Sequence, residues 1–412
     1  MSSDISIDNM MQKALEIPGL LSLAAGFTDN ALAPREIVGS ITQELLSSDA
    51  NNEILQYGLP VGRRPLRDAL SQRLRQQDIA LGTTPPDVGA DDTVITTGSQ
   101  QSLFLAVEAL CQPGDVILVE HPTYFVMLDV LRTLGVRAIA MPAIDDTLDV
   151  QALDAFFTDL RARGEFERVR AVYLISYFSN PSSLSLSLDQ KVGLLEVMRK
   201  HQLHVPVIED IAYREFYFDS EWPVPSMLAW DTPEIPILVT GTLTKLFSTG
   251  LKVGWLVLRE PKLRQRIIDL KRCQDFGTSN FTQAICEIAL LRGHLDAYLD
   301  HVRPLYAEKA HALDQGLRDA GLGELGWSWT APRGALYLWL RAPENMETGP
   351  ASALSRICLE EKVIYVPGEL CCLNGGAQRV RTSFGSLSPS ELREAAARFT
   401  RAARRVANGE TA

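Results

Sequence analysis

Lys245 lies in the run Thr-Gly-Thr-Leu-Thr-Lys-Leu-Phe-Ser-Thr-Gly-Leu-Lys-Val-Gly-Trp, residues 240–255, among small hydroxyl residues and glycines rather than carboxylates. Such surroundings suit an amine that must react as a free nucleophile, because hydroxyls and backbone N–H groups can hold an anion such as phosphate beside it. Asp210 closes the apolar stretch Val-Pro-Val-Ile-Glu-Asp and is followed by Ile-Ala-Tyr. Asn180 stands in Ser-Asn-Pro-Ser-Ser, and Arg381 in Arg-Val-Arg-Thr-Ser-Phe-Gly. Thr97-Gly98-Ser99-Gln100-Gln101-Ser102-Leu103 sets glycine and small polar residues before an apolar helical pattern, the composition of a helix start open to an anion. Each has an ordinary alternative. Lys245 would be a surface lysine in a turn, Asp210 a helix N-cap, Asn180 part of an Asn-Pro turn, and Arg379 and Arg381 two arginines on an exposed strand.

These residues make a site only if the fold gathers them. Between residues 94 and 258, short, solidly apolar runs alternate with helical patterns. Strands are expected at 94–96, 116–120, 136–141, 171–176, 205–210, 237–241 and 253–258, covered on both faces because they do not alternate with polar residues. The stretch 185–203 opens with serines and carries leucines and valines at helical spacing. Strand–helix alternation implies an α/β domain with a mainly parallel, seven-stranded sheet, whose ligands bind at the carboxyl ends of the strands. Ser179-Asn180, Asp210 and Lys245 all lie at or just beyond such ends. Glu209 is expected on the opposite face of its strand from Asp210, since side chains alternate. Residues 51–300 are read as this large domain. A smaller α+β domain is expected from both termini, with an N-terminal arm and part of the domain in 1–50 and the rest in 301–412. Its strand candidates are 334–340 and 379–383, and a long helix over 296–317 joins the two.

The chain has 412 residues, 46% hydrophobic and 22% charged, with a formal net charge of −11. That acidity excludes a general attraction to nucleic acid or anionic lipid. No apolar run approaches the ~20 residues that span a bilayer. The acidic start Met-Ser-Ser-Asp-Ile-Ser-Ile-Asp lacks the basic region of a signal peptide, and the six scattered cysteines show no metal spacing, so a reducing cytoplasm is expected. The vicinal pair Cys371-Cys372 reads either as a redox sensor or as small apolar packing.

The Lys245 run resembles the Schiff-base lysine segment of class I/II aminotransferases, the fold-type I enzymes that use pyridoxal 5′-phosphate (PLP). Their pattern is roughly Gly-Ser-Phe-Ser-Lys, then Gly-Leu-Arg-x-Gly-Trp. The resemblance runs from about residue 20 to 400 and implies a role for each position. Lys245 would link the cofactor and carry the proton, Asp210 would keep the pyridine nitrogen protonated, and Tyr124, in Glu-His-Pro-Thr-Tyr, would stack on the ring. Asn180 and Tyr213 would bond the ring's phenolic oxygen. Ser99, Gln100, Thr242 and Lys252 would hold the phosphate. Arg381 would clamp the substrate's α-carboxylate, with Asn180 and Gly26, in Leu-Ala-Ala-Gly-Phe, beside it. Tyr57, in Leu-Gln-Tyr-Gly-Leu-Pro-Val-Gly, would reach the phosphate of a neighbouring subunit, which implies a homodimer with shared sites. Thr278 and Ser279 resemble a second interface contribution. Two departures stand out: Ser183 replaces the glycine of Asn-Pro-x-Gly, and Lys252 replaces the usual arginine.

Residues 333–340 and 366–370 look most like the subgroup of aminoadipate, kynurenine and aromatic aminotransferases. The activity implied is ping-pong transfer of an amino group from an α-amino acid to a 2-oxo acid. The rivals are a lyase, decarboxylase or racemase on the same scaffold and, from another class, a non-catalytic effector-binding module.

Overall fold

The seven apolar runs form one sheet in the computed structural model, which describes residues 17–47 and 49–410. The acidic residues 1–16, read above for a leader, lie outside the described residues. The strands are β1 (Thr93–Thr96), β2 (Val116–Val119), β3 (Arg137–Ala140), β4 (Val169–Ile175), β5 (Val207–Asp210), β6 (Ile237–Thr242) and β7 (Gly254–Val257). Their spatial order is β1-β7-β6-β5-β4-β2-β3. From β6 to β3 every neighbour is parallel, whereas β7 runs antiparallel to both β6 and β1. The reason is the link between β6 and β7. A parallel return needs a crossover of roughly a dozen residues or more, usually a full helix. The chain here has room only for a single-turn helix before it doubles back. That doubling-back carries Lys245.

Solid apolarity follows from burial on both faces. Val116 and Leu118 of β2 pack into one core, while Ile117 and Val119 pack into another on the far side of the sheet. Glu209 obeys the same alternation. It lies opposite Asp210 in a fully buried ion pair with Lys191 (2.9 Å), where it also accepts from Ser176 Oγ (2.5 Å) and Met227 N (2.7 Å). The expected helices form as well: α1 (Gly98–Leu110), α2 (Phe125–Thr133), α3 (Leu188–Lys200), the single turn α4 (Leu243–Leu246) and the long α5 (His294–Asp319). α3 opens on a capping box in which Ser187 Oγ accepts from Gln190 N and the Gln190 side chain accepts from Ser187 N.

A second sheet is antiparallel, with β10 (Arg379–Ser383) between β8 (Tyr337–Arg341) and β9 (Val366–Pro367). α5 packs against the C-terminal helix α6 (Pro389–Ala407). Leu21–Ser22 pairs in parallel with Val363–Ile364, so the N-terminal segment is joined to the C-terminal one. Gly26 is thereby brought toward β10. No helix among the described residues is long and apolar enough to cross a membrane.

Candidate active site

Four strand ends meet at one edge of the large sheet. β1 leads into Gly98, β4 into Asn180, β5 ends on Asp210, and β6 leads into α4 with Lys245. They border a cavity of about 1180 Å³ whose walls include Gly26, Gln100, Tyr124, Asn180, Tyr213, Lys245 and Arg381. These seven expected residues are therefore gathered. Asp210 and Ser99 are not part of that lining, although Ser99 adjoins Gln100 in the chain and Asp210 is close enough to Tyr124 to act on its phenol. Thr242, Lys252 and Tyr57 are not part of it.

Lys245 Nζ donates to Gly26 O at 2.7 Å, the one hydrogen bond its amine makes among the described residues. Asp210 is buried, and its Oδ1 accepts from Ala212 N at 2.9 Å. Burial without a facing cation pushes its carboxyl up to about 7. Asn180 is presented by a loop that Glu120 fixes, since the Glu120 carboxyl accepts from Ile175 N and Ser179 Oγ, both at 3.1 Å. The glycine usual three residues after Asn180 has a conformational reason. Ser183 sits there at φ +58°, a left-handed backbone that glycine adopts more readily, and its Oγ donates to Tyr337 O at 2.6 Å.

Arg381 and Arg379 share a strand but not a role. Arg381 is buried, donates from Nη1 to Asn180 Oδ1 (3.1 Å) and from Nη2 to Ala24 O (2.6 Å), and its buried Nε has no partner among the described residues. Its guanidinium lies between the rings of Phe125 (5.1 Å) and Tyr337 (4.6 Å). Arg379 is turned to Asp146, 3.0 Å away, on the hairpin beside β3.

The anion end is built at the start of α1. No side chain caps that helix, so its first N–H groups, at Ser99 and Gln100, remain available. Gly254, the first residue of β7, supports the turn from below. A Cβ there would meet Gly98 C at 2.3 Å and Ser99 N at 2.5 Å, so no side chain is admitted. Behind the turn is a polar clamp that sequence reasoning missed. Gln101 Oε1 accepts from Thr97 N (2.8 Å) and from buried Lys271 Nζ (3.2 Å). Lys271 in turn bonds Asp275 (2.7 Å) and Thr278 Oγ1 (3.1 Å). Thr278 is thus buried within its own chain.

Thr242 caps α4, accepting from Thr244 N (3.0 Å) and donating to Val253 O (3.3 Å). The unengaged hydroxyl near the turn is Thr244, whose buried Oγ1 has no partner among the described residues and would lie 3.6 Å from a Cβ on Gly98. Lys252 is exposed at φ +52°, two residues before Gly254, with no ion-pair partner among the described residues.

Tyr124 begins α2, its ring tilted against Phe125, and burial pushes its phenol well up. Tyr57 is 83% exposed, packs edge-on against Phe276, and does not reach the cavity of its own chain. Cys371 is buried and Cys372 lines the cavity; burial pushes both thiols up to about 12, which leaves little thiolate and favours packing over redox sensing.

Tyr337 was also missed. It lines the cavity and bonds Tyr213, hydroxyl to hydroxyl, at 2.9 Å. In the sequence it looks like one more apolar residue of a strand. The signal that would have found it is register: in β8 paired antiparallel with β10, Tyr337 stands opposite Ser383, on the face that carries Arg381.

The profile of the family described as "Aminotransferase class I and II" matches residues 19–399. Aromatic-amino-acid aminotransferase 1 of Thermococcus litoralis is 29% identical over 93% of this chain and 87% of its own length. The 2-aminoadipate transaminase of Thermus thermophilus is 30% identical over 95% of this chain and 91% of its own. Among solved structures, the α-aminoadipate aminotransferase LysN from Thermus thermophilus, complexed with N-(5′-phosphopyridoxyl)-L-leucine, superimposes with a TM-score of 0.81 and 28% identity. That match covers 97% of this chain and 95% of the other. A match that runs through both sheets and every wall of the cavity leaves one assignment: the chain belongs to the aminotransferase class I and II family and is a fold-type I, pyridoxal-phosphate-dependent aminotransferase.

Proposed function

We propose that both half-reactions, amino group off an α-amino acid and onto a 2-oxo acid, run in this one cavity with Lys245 as nucleophile and proton carrier. The observation that carries this reading is that Lys245 and Arg381 line one cavity, at the sheet edge where β5 ends on buried Asp210. The residues present suit PLP. An uncapped helix start, an unengaged Thr244 hydroxyl and an unpaired Lys252 form a phosphate-binding set, with Thr242 holding the turn beneath them. Lys252 supplies charge without the bidentate fork of an arginine, so the backbone donors at Ser99 and Gln100 bear more of the binding. Asp210 would hold the ring nitrogen, Asn180 and Tyr213 the ring oxygen, and Tyr124 the ring face. When bound, the cofactor supplies an electron-withdrawing ring that stabilises negative charge at the substrate Cα.

Lys245 would leave Gly26 O, take the Cα proton as base and deliver it as acid to C4′ of the cofactor within the same half-reaction, and would run that transfer in reverse in the second. Arg381 receives the α-carboxylate through its planar fork. Phe27, Val126 and Leu370 supply apolar wall that limits water around the reacting carbon. The relatives named for aromatic amino acids and aminoadipate supply the first donors to try.

Cofactor-loaded protein mixed with a donor, without any oxo acid, is expected to lose its near-visible absorption and release one 2-oxo acid per site. Added 2-oxo acid should restore the absorption. Release of carbon dioxide or ammonia, or racemisation of the donor, would replace this reading with the lyase, decarboxylase or racemase alternative.

The second element of the proposal is a homodimer with two shared sites, in the cytoplasm. Tyr57 is exposed beside Leu55, Leu59 and Phe276, a mostly apolar surface that a second copy would cover. Obligate interfaces commonly bury more than ~2,000 Å². Tyr57→Phe is expected to weaken cofactor retention without unfolding the protein. Mixing it with Lys245→Ala chains should recover activity on subunit exchange, because the hybrid holds one site with neither defect. A fully active monomer in ultracentrifugation would refute the shared site.

A further inference from the structure

We propose that the Tyr337 hydroxyl is a positioning group for the reaction, acting through Tyr213 on the ring oxygen of the bound cofactor, while its ring face steadies Arg381. The inference rests on the cofactor reading above and concerns a side chain to which that reading gives no role. Tyr337 is buried, yet among the described residues its hydroxyl bonds only Tyr213, at 2.9 Å, with the two rings edge-to-face. Its ring lies 4.6 Å beneath the Arg381 guanidinium, and its backbone carbonyl is pinned by Ser183 Oγ. A Cβ on Gly26 would meet the Tyr337 hydroxyl at 2.6 Å, so the glycine next to the Lys245 acceptor leaves room for that oxygen. One side chain thus touches groups serving the cofactor, the substrate carboxylate and the lysine.

Two buried phenols in contact have a direction: one donates and the other is left with a proton to give elsewhere. Either hydroxyl can be the donor, and the proposal assigns that role to Tyr337, over whose ring the Arg381 guanidinium lies. Tyr213 then accepts from Tyr337 and turns its own proton to the cavity, where the ring oxygen would lie. Burial pushes the Tyr213 phenol well up, so that proton is retained. The charged and titratable groups around the pair are Tyr124, Arg381, Lys245 and Asp210. Chains of hydrogen bonds polarise one another, so the Tyr337 bond strengthens the one Tyr213 gives.

The test is the pH midpoint of the near-visible absorption of cofactor-loaded protein, with kcat and KM read alongside. A donor on the ring oxygen stabilises its negative charge and disfavours the protonated, long-wavelength form, so losing the donor raises the midpoint. Tyr337→Phe is expected to raise it by about 0.5 pH unit, the size of one modest hydrogen bond, and to lower kcat with little change in KM. Tyr213→Phe should raise it further, and the double variant no further than Tyr213→Phe alone, because the two act in series. Tyr337→Leu, which also removes the ring beneath Arg381, should in addition raise KM for both amino and oxo acid by about tenfold. A normal absorption band whose midpoint ignores Tyr337→Phe, or shifts that simply add in the double variant, overturns the inference alone. A wild-type protein that takes up PLP without any such band would sink the cofactor reading and this inference with it.

Discussion

Lys245→Ala is expected to bring turnover down to background while the protein still folds and still binds cofactor non-covalently. The lysine is asked to do two things, to condense with the cofactor's aldehyde and to carry the Cα proton. Positioned acid–base catalysis alone is worth roughly 10²–10⁴ in rate, so losing both roles should cost at least ~10⁴, or ~5.4 kcal/mol in barrier height. The local structure does not depend on the amine. α4 is capped by Thr242, and the lysine contributes one hydrogen bond, to Gly26 O. The variant should therefore melt like the parent when both are cofactor-free. It should also lose its bound cofactor on dialysis, which a covalent link would resist. Turnover near the wild-type level would remove Lys245 from the centre of the mechanism.

The parts of this site that were legible in the sequence share a physical cause. Except for the edge strand β3, the strands of the large sheet are buried on both faces, so their runs are mostly apolar and their ends are easy to place. A polar residue at or just past such an end, as at Asn180, Asp210 and Lys245, is conspicuous against the apolar run that leads to it. The antiparallel return of β7 is not a matter of composition; it follows from the shortness of the link after β6. What was illegible depends on partners far away in the chain. Without the resemblance that picks Arg381, Arg-Val-Arg does not tell it from Arg379, whose partner Asp146 lies more than two hundred residues earlier. The Lys271 clamp behind the α1 turn gathers residues from 97 to 278, each unremarkable alone. Thr242 and Thr244 both suit a phosphate by type, and only the cap geometry separates the engaged hydroxyl from the unengaged one. Tyr337 was hidden because a tyrosine in a solidly apolar strand run passes for core.

Asp210→Asn is expected to cripple catalysis while leaving the cofactor-free protein at least as stable as its parent, a combination a structural cap would not give. The amide has nearly the shape of the carboxyl and can still accept from Ala212 N, the 2.9 Å bond that the cap alternative rests on. It carries no negative charge, so it does not hold a proton on the ring nitrogen. The fall in kcat/KM should exceed about a hundredfold, ~2.7 kcal/mol. Stability gives the independent control, through the sign of a raised pKa. In the cofactor-free fold burial lifts the Asp210 carboxyl from 3.8 to about 7. The folded state therefore keeps a proton that the unfolded chain has already released, and stability falls as pH rises between those values. Above about 7 the fold carries a buried, unpaired carboxylate. Asparagine has no such penalty, so cofactor-free Asp210→Asn should melt at or above the parent temperature at pH 8, with the advantage shrinking as pH falls toward 4. In loaded protein the facing ring nitrogen pairs with the carboxylate, and the advantage should vanish or reverse. A loss of activity below about tenfold, ~1.4 kcal/mol, or a lower melting temperature of the cofactor-free variant at pH 8, would make Asp210 a cap and leave the ring nitrogen without its partner.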